Sequence, residues 1–244
     1  MAKTALASLE TALRARKLDR TLTTALPPLD RTDAAALAPT AVGALDACLR
    51  GGLPRGQLSE IAGRCSSGRT TLLLTLLSAA THRGEIAAVV DTCDRLDVAS
   101  AIRAEIDLER LLWVRGDAAG PIDRAIDRAL KALNLVLQAG GFGVVALDLA
   151  DVPVLALKRI PFTTWMRVQR IVEGRDTACV LVVPEPLARS AGGVTLTVTG
   201  KTTWGGDSDR SRRVDGLDVA VRIASPRRKV EGDIRVRCGA GCDA

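Results

Sequence analysis

Residues 63–71 read GRCSSGRTT, and this stretch decides the fold class of the chain. It has the G-x4-G-[K/R]-[ST] spacing of a phosphate-binding loop, between apolar stretches that predict a strand over 57–62 and a helix over 70–81. Glycines let such a loop turn its N–H groups towards phosphate, and the helix N-terminus adds positive potential. The candidate nucleotide-binding residues are Gly63, Ser66, Ser67, Gly68, Arg69, Thr70 and Thr71.

The same stretch also fits a Gly- and Ser-rich turn that binds no ligand, and Arg69 keeps that alternative open. A phosphate loop usually carries Lys at this position, where a compact ammonium reaches the phosphates. The planar, forked guanidinium of Arg is not an equivalent replacement. We therefore leave nucleotide binding open and expect ATP with magnesium to bind weakly or not at all.

Two side chains are candidates for a magnesium site if a nucleotide binds. The hydroxyl of Thr70 begins the predicted helix, where a phosphate loop places a metal ligand. Asp148 ends an apolar strand predicted over 143–148, as an acid that holds Mg²⁺ should. The alternative is that Asp148 only caps the following loop, and the same strand-then-Asp pattern recurs at Asp91.

Apolar strands alternate with helices along the middle of the chain. Strands are predicted over 57–62, 86–91, 111–115, 143–148 and 178–183, and helices over 70–81, 98–105, 121–138 and 163–173. Strands this apolar on both faces predict a mostly parallel α/β sheet covered by helices on both sides. Further strands over 194–199, 217–223 and 234–237 are expected to extend the sheet in antiparallel fashion.

The chain resembles the core of the RecA recombinases, in order and spacing over about residues 40–185. The resemblance rests on residues 51–63, GGLPRGQLSEIAG, on residues 66–72, SSGRTTL, and on the strands that end at Asp91 and Asp148. It implies a RecA-like, twisted, mostly parallel sheet. The short length and the tail resemble the ImuA type, RecA-like accessory proteins of bacterial mutagenesis cassettes. The tail features are Trp204 in a polar loop, residues 216–219 and the basic run 227–229.

The chain departs from the RecA pattern at residues that carry its chemistry. Cys93 stands where the resemblance implies a catalytic glutamate, and a thiol is a poor base for activating water. Ser100 replaces the adenine-stacking tyrosine, and residues 184–185, Pro-Glu, replace the γ-phosphate switch. The DNA loop is shortened to about residues 190–193. The resemblance therefore implies the fold without ATP-driven strand exchange.

The surplus charge lies at the two ends of the 244-residue chain. Of the net charge of +6, residues 1–20 contribute +3 and residues 201–244 contribute +3, so residues 21–200 are neutral. We predict an N-terminal amphipathic helix (1–18), a linker (19–40), a RecA-like core (41–225) and a basic tail (226–244). The candidate partner-binding residues are Leu6, Leu9, Leu13, Arg227, Arg228 and Lys229.

Three functions remain open at this point. The first is an adaptor in the bacterial DNA-damage response, and the resemblance implies RecA and an ImuB-like Y-family polymerase homologue as its partners. The second is an active single-stranded-DNA-dependent ATPase, and the third is a DNA-binding module driven by the basic ends. With two Phe, three Trp and no Tyr, an aromatic platform for bases is disfavoured. No apolar run is long enough to span a membrane, so we expect a cytoplasmic protein.

Overall fold

The computed structural model describes residues 34–117, 119–188, 192–225 and 230–239. Ten strands are assigned within these ranges. They are β1 (Leu37–Ala38), β2 (Leu53–Pro54), β3 (Leu58–Ala62), β4 (Ile86–Asp91), β5 (Leu111–Arg115), β6 (Phe142–Asp148), β7 (Ala178–Val183), β8 (Thr195–Gly205), β9 (Arg213–Ser225) and β10 (Val230–Gly239).

Eight of these strands form one sheet in the order β10-β9-β8-β3-β7-β6-β4-β5. The pairs among β3, β4, β5, β6 and β7 are parallel, and β8 is also parallel to β3. β9 and β10 then add to β8 in antiparallel fashion. The predicted α/β class, mostly parallel sheet and C-terminal antiparallel extension are confirmed.

Helices cover the sheet, and four of the six in the described residues lie where the sequence predicts them. They are α1 (Gly43–Cys48), α2 (Arg69–His82), α3 (Val98–Arg103), α4 (Ile122–Ala139), α5 (Val154–Leu157) and α6 (Phe162–Val172). Pro121, Pro153 and Pro161 immediately precede α4, α5 and α6, because a proline has no N–H to leave unpaired and its φ already suits a helix start. α5 was not predicted, since its four residues are too short to show a helical period.

The apolar residues divide into two cores, one on each face of the sheet. One core packs α1, α2 and α3 against one face, together with inward residues of β8, β9 and β10. The other packs α4, α5 and α6 against the opposite face. Every residue of β7 is buried, which is the pattern of a central strand covered on both faces. Among the described helices, none is long and apolar enough to cross a membrane.

Three boundary predictions need correction. Trp204 lies in β8, not in a polar loop, and its ring stacks on the Arg212 guanidinium at 4.8 Å. Half of the predicted tail 226–244 forms β10, which pairs with β9 from Val230 to Gly239. At the other end, the predicted linker 19–40 overlaps folded structure, since Leu37 and Ala38 are buried and pair with β2. In each case a strand pairing overrides polar or proline-rich local composition.

The six candidate partner-binding residues lie outside the described part of the chain. Leu6, Leu9 and Leu13 precede it, and the basic run 227–229 falls between the last residue of β9 and the first of β10. The prediction of partner contacts through these residues therefore stays a prediction.

Candidate functional site

The predicted phosphate loop connects β3 to α2 at the carboxyl edge of the sheet. Ser66 and Gly68 both have positive φ, 59° and 93°, so the backbone turns sharply before the helix begins at Arg69. A Cβ atom at Gly68 would lie 2.8 Å from the Val219 side chain, so glycine is also required for packing. The structure thus confirms the strand, glycine-rich loop and helix that the sequence predicts.

The first turn of α2 presents its backbone without a side-chain cap. Its N-cap residue is Gly68, which has no side chain to accept a hydrogen bond from the helix start. Thr70 and Thr71 are exposed there, and Ser67 is buried with its Oγ unbonded to any described residue. Uncapped N–H groups at a helix start are suited to anions, so this backbone frame fits a phosphate group.

The Arg69 side chain does not extend into this frame. It is buried, at 5% exposure, and one guanidinium nitrogen donates to the carbonyl of Gly63 at the start of the same loop. The other nitrogen donates to the carbonyl of Ala150 at 2.8 Å and lies 3.4 Å from an Asp151 carboxylate oxygen. We call Arg69 and these three acceptors the Arg69 cluster. It ties the phosphate loop to the segment that follows β6.

Asp148 lies at the carboxyl end of β6, and one strand stands between β6 and β3, the strand that enters the loop. β7 separates them, with Val183 opposite Ala62 and Val182 opposite Asp148. Among the described residues, its carboxylate accepts a hydrogen bond from Ala150 N at 2.8 Å. Burial raises the pKa of Asp148 to about 6, helped by the nearby acids Asp91 and Asp151. The carboxylate therefore caps its own loop, as the alternative interpretation had it.

Asp91 ends the neighbouring strand β4 and is fully engaged in structure. Its two carboxylate oxygens accept from Arg95 N at 2.9 Å, Leu96 N at 2.8 Å and Trp113 Nε1 at 3.2 Å. Carboxylates placed this way fix the loop after the strand, because the backbone donors are satisfied locally. Asp91 thus has a structural role that its sequence pattern alone did not separate from that of Asp148.

The residues that depart from the RecA pattern also make local contacts. Burial and the acids Asp151, Asp148 and Asp91 raise the pKa of the Cys93 thiol, which disfavours its thiolate. Ser100 donates its hydroxyl to Asp97 at 2.6 Å at the start of α3. Glu185 forms an ion pair with Lys158 at 3.1 Å.

The sequence analysis missed the part played by Ala150 and Asp151. Ala150 contributes a backbone carbonyl, and no sequence pattern identifies which carbonyl an arginine will reach 81 residues away. Asp151 could have been noticed as a second acid just after the strand that ends at Asp148. Among the described residues, no group of three or more His, Cys, Asp or Glu side chains could hold a metal ion.

The parallel sheet, the strand–loop–helix phosphate frame and the strand-end acid together define the class of RecA-like α/β proteins. The sequence profile of the RecA N-terminal domain family matches residues 23–157, more than half of the chain, and the chain belongs to this family.

Curated relatives match just under half of the chain. The RecA proteins of Thermus thermophilus and Methylococcus capsulatus are each 38% identical to this chain over 111 residues, which is 45% of this chain and 31% and 30% of those proteins. The RecA of Clavibacter michiganensis is 36% identical over 114 residues, 46% of this chain and 30% of that protein. The chain thus matches about a third of the length of these relatives.

A solved structure supports the fold over a longer stretch. The crystal structure of the RadB recombinase superposes with a TM-score of 0.57 and covers 82% of this chain and 96% of that chain, at 16% sequence identity. At this identity the likeness concerns the fold alone. It extends beyond the region that the family profile matches, towards the C-terminal part of the chain.

The site fits magnesium ATP only in part. The backbone frame of residues 63–68 and the exposed Thr70 hydroxyl suit a phosphate and its metal. The charged side chain of the loop does not, because the Arg69 guanidinium is bound by protein acceptors and is not directed at the frame. This side chain therefore does not fit a hydrolytic magnesium-nucleotide centre.

Proposed function

We propose that this chain is a RecA-like accessory protein of the ImuA type in the bacterial DNA-damage response. It acts in SOS mutagenesis and translesion synthesis through contacts with RecA and with an ImuB-like Y-family polymerase homologue. In this function the RecA fold is a scaffold for protein contacts, and it is not a motor driven by ATP.

The Arg69 cluster is the observation that carries the proposal. A phosphate-loop cation must reach the phosphates, and here the cation is buried with its donors directed to Gly63 O and Ala150 O. Freeing it would leave two carbonyls without their donor and break charge-assisted hydrogen bonds, which are stronger than neutral ones. The loss of a glutamate at Cys93 removes the general base as well.

The second candidate is an active ATPase that depends on single-stranded DNA. The backbone frame favours it, because the uncapped start of α2 and the left-handed Gly68 are features that phosphate binding needs. The proposal and this candidate predict opposite results for turnover.

Steady-state ATP hydrolysis separates the two. The chain is assayed with magnesium, with and without single-stranded DNA, beside the RecA of Thermus thermophilus as an active control. We expect no turnover above the Asp148→Asn variant under either condition. DNA-stimulated turnover that disappears in Asp148→Asn would establish the ATPase and refute the adaptor function.

Partner binding is tested separately with purified proteins. The chain is immobilised and offered RecA, with and without single-stranded DNA, and then the polymerase homologue encoded by the same genome. We expect saturable binding to at least one of them, unchanged when ATP is omitted. Binding to neither would refute the assignment to this pathway.

A further inference from the structure

Strand β10 forms one edge of the eight-stranded sheet. Within the part of the chain that the structure describes, β10 pairs with β9 over Val230–Gly239 and with no other strand. An edge strand presents a row of N–H and C=O groups that can pair with a strand of another chain. Proteins often prevent such pairing by keeping the edge strand short or by placing proline in it, but β10 has ten residues and no proline.

The two faces of β10 differ in character. Ile234 is buried in the core that packs α1, whereas Asp233 and Arg235 on either side of it are exposed. Successive positions of a strand alternate between its faces. The even positions 230–238, with the sequence V, G, I, V, C, therefore share the apolar face, and the odd positions 231–237, with the sequence E, D, R, R, share the exposed face.

The charges on the exposed face are ordered by sign. The acids at positions 231 and 233 precede Ile234, and the arginines at positions 235 and 237 follow it. When a second copy of β10 pairs in antiparallel fashion with Ile234 at the centre, position 233 lies opposite 235 and position 231 lies opposite 237. Every acid then faces an arginine, and on the other face the apolar positions face one another. Both faces of β10 are thus complementary to themselves in this register.

The neighbouring registers lack this complementarity. A shift of two residues in one direction sets Asp233 opposite itself, and a shift in the other direction sets Arg235 opposite itself. Like charges directly opposite each other destabilise a pair of strands, whereas opposite charges stabilise it. A row of charges of one sign would repel a second copy in every register, but the order of signs in β10 selects one register.

Strand β9 already faces some of these charges with a charge of opposite sign. Asp233 lies opposite an arginine of β9, and position 237 lies opposite an aspartate. Arg235 and position 231, in contrast, lie opposite alanines. A second copy of β10 would place an acid opposite Arg235 and an arginine opposite position 231, so each of these two charges would gain a cross-strand partner.

The other edge of the sheet does not complement itself. Strand β5 has five residues, with the sequence LLWVR, and Arg115 is its one charged residue. Antiparallel self-pairing centred on Trp113 would set Arg115 opposite Leu111. The Arg115 guanidinium also forms an ion pair with Asp94 at 2.8 Å. Self-complementarity is therefore a property of β10 and not of both edge strands.

We propose that β10 pairs with β10 of a second copy of this chain, in antiparallel fashion and centred on Ile234. Residues that face each other in this register lie on the same face of the sheet, so the two-fold axis runs perpendicular to it. The two eight-stranded sheets then form one continuous sheet, and the edge N–H and C=O groups of both copies are paired. The inference goes beyond the proposed adaptor function and does not depend on it.

Sedimentation velocity of the full chain over a concentration series tests the proposal. We expect an equilibrium between monomer and dimer. Arg235→Asp sets acid opposite acid at two symmetry-related places, so it should weaken the dimer roughly 30-fold, and Asp233→Arg should weaken it similarly. Arg167→Asp is the matched control, since Arg167 is exposed on α6, which packs against the opposite face of the sheet, and this variant should leave the affinity unchanged.

Mixing the two charge variants keeps the test independent of folding. In a mixed dimer, the acids of the Arg235→Asp chain lie opposite the arginines of the Asp233→Arg chain. The equimolar mixture should therefore dimerise roughly tenfold more tightly, or better, than either variant alone. A variant that failed to fold could not recover affinity in this way.

Three results would overturn the proposal. The first is a wild-type chain that stays monomeric throughout the concentration series. The second is a dimer whose affinity is unchanged in both Arg235→Asp and Asp233→Arg, because such a dimer forms through another surface. The third is a mixture of the two variants that dimerises no more tightly than each alone, because the charges would then not face each other as the register requires.

Discussion

Strands β4 and β6 lie side by side and both end in an aspartate, and the register sets Asp91 directly opposite Asp148. Within the part of the chain that the structure describes, Asp91 accepts three hydrogen bonds, from the loop after its strand and from Trp113, whereas Asp148 accepts one, from Ala150 N. The same local sequence pattern therefore produces one structural carboxylate and one that is left with unused acceptor capacity. Spare capacity beside a phosphate loop is what a metal site needs.

The Arg69 cluster lies on the segment that follows Asp148. Arg69 contacts Ala150 and Asp151, the residues that follow Asp148 closely, and its donors are directed at protein oxygens. The backbone of the phosphate loop has the geometry that phosphate binding needs. The Arg69 side chain, which would have to be free to reach a phosphate, is instead bound to protein oxygens.

The largest effect is expected for Asp91→Ala. The substitution leaves the donors of Arg95, Leu96 and Trp113 without the buried carboxylate that accepts from them, and we expect it to lower the free energy of unfolding by about 4 kcal/mol. Urea denaturation followed by circular dichroism measures this. A loss below about 1 kcal/mol would show that the contrast between the two aspartates is wrong.

Arg69→Ala should come next, with a loss of about 3 kcal/mol. The variant removes hydrogen bonds from a buried guanidinium to two carbonyls and leaves those carbonyls unpaired. The same denaturation experiment measures it. An Arg69→Ala variant as stable as wild type would mean that the guanidinium is free in solution and available to a ligand.

Asp148→Asn is expected to raise stability, in contrast to Asp91→Ala. The pKa of Asp148 is about 6 in the folded chain and about 4 when unfolded, so the folded state holds the proton more tightly. The resulting stabilisation is complete below about pH 4 and lost as the pH rises through about 6. The variant should match wild type at low pH and exceed it by about 3 kcal/mol at pH 8, since each pKa unit corresponds to about 1.4 kcal/mol.

Unfolding curves at several pH values test whether Asp148→Asn is more stable than wild type at high pH. A difference between Asp148→Asn and wild type that does not change with pH, or a variant less stable at pH 8 than wild type, would contradict the account of Asp148.

The smallest effect is expected for Asp151→Ala. Its carboxylate lies 3.4 Å from Arg69 and is nearly half exposed, so solvent screens the pair, and we expect a loss below about 1 kcal/mol. A double-mutant cycle with Arg69→Ala measures the coupling between the two side chains. A coupling above about 2 kcal/mol would contradict this, because it would mean that the ion pair with Asp151 stabilises the Arg69 side chain more than the hydrogen bonds to the two carbonyls do.

Much of the fold was accessible from the sequence because its signals are local. The bounds predicted for β4, β5 and β7 coincide with the observed strands, since each is an apolar run ended by polar or proline residues. Trp204 was misplaced because its flanking glycines and polar residues suggest a turn, while pairing with β9 makes a strand. Local composition cannot reveal a pairing with residues further along the chain.

The positions of the candidate site residues on the strands, loop and helix were predictable from the sequence, but their side-chain contacts were not. Loop residues 63–68, Thr70 and Asp148 lie where the motif predicts, because glycine spacing and strand ends are read directly from sequence. The direction of Arg69 was not predictable, since its partners Ala150 and Asp151 follow another strand. The difference between Asp91 and Asp148 likewise depends on which loop donors fold back onto each carboxylate.

Nucleotide linkage tests the central claim most directly. The free energy of unfolding of the wild type is measured with and without millimolar ATP and magnesium, and a ligand present at 100 times its Kd should add about 2.7 kcal/mol. Because the Arg69 guanidinium is bound to protein acceptors, we predict a change below about 0.5 kcal/mol. A saturable increase of about 2 kcal/mol or more that disappears in Asp148→Asn would contradict the account and establish a functional nucleotide site.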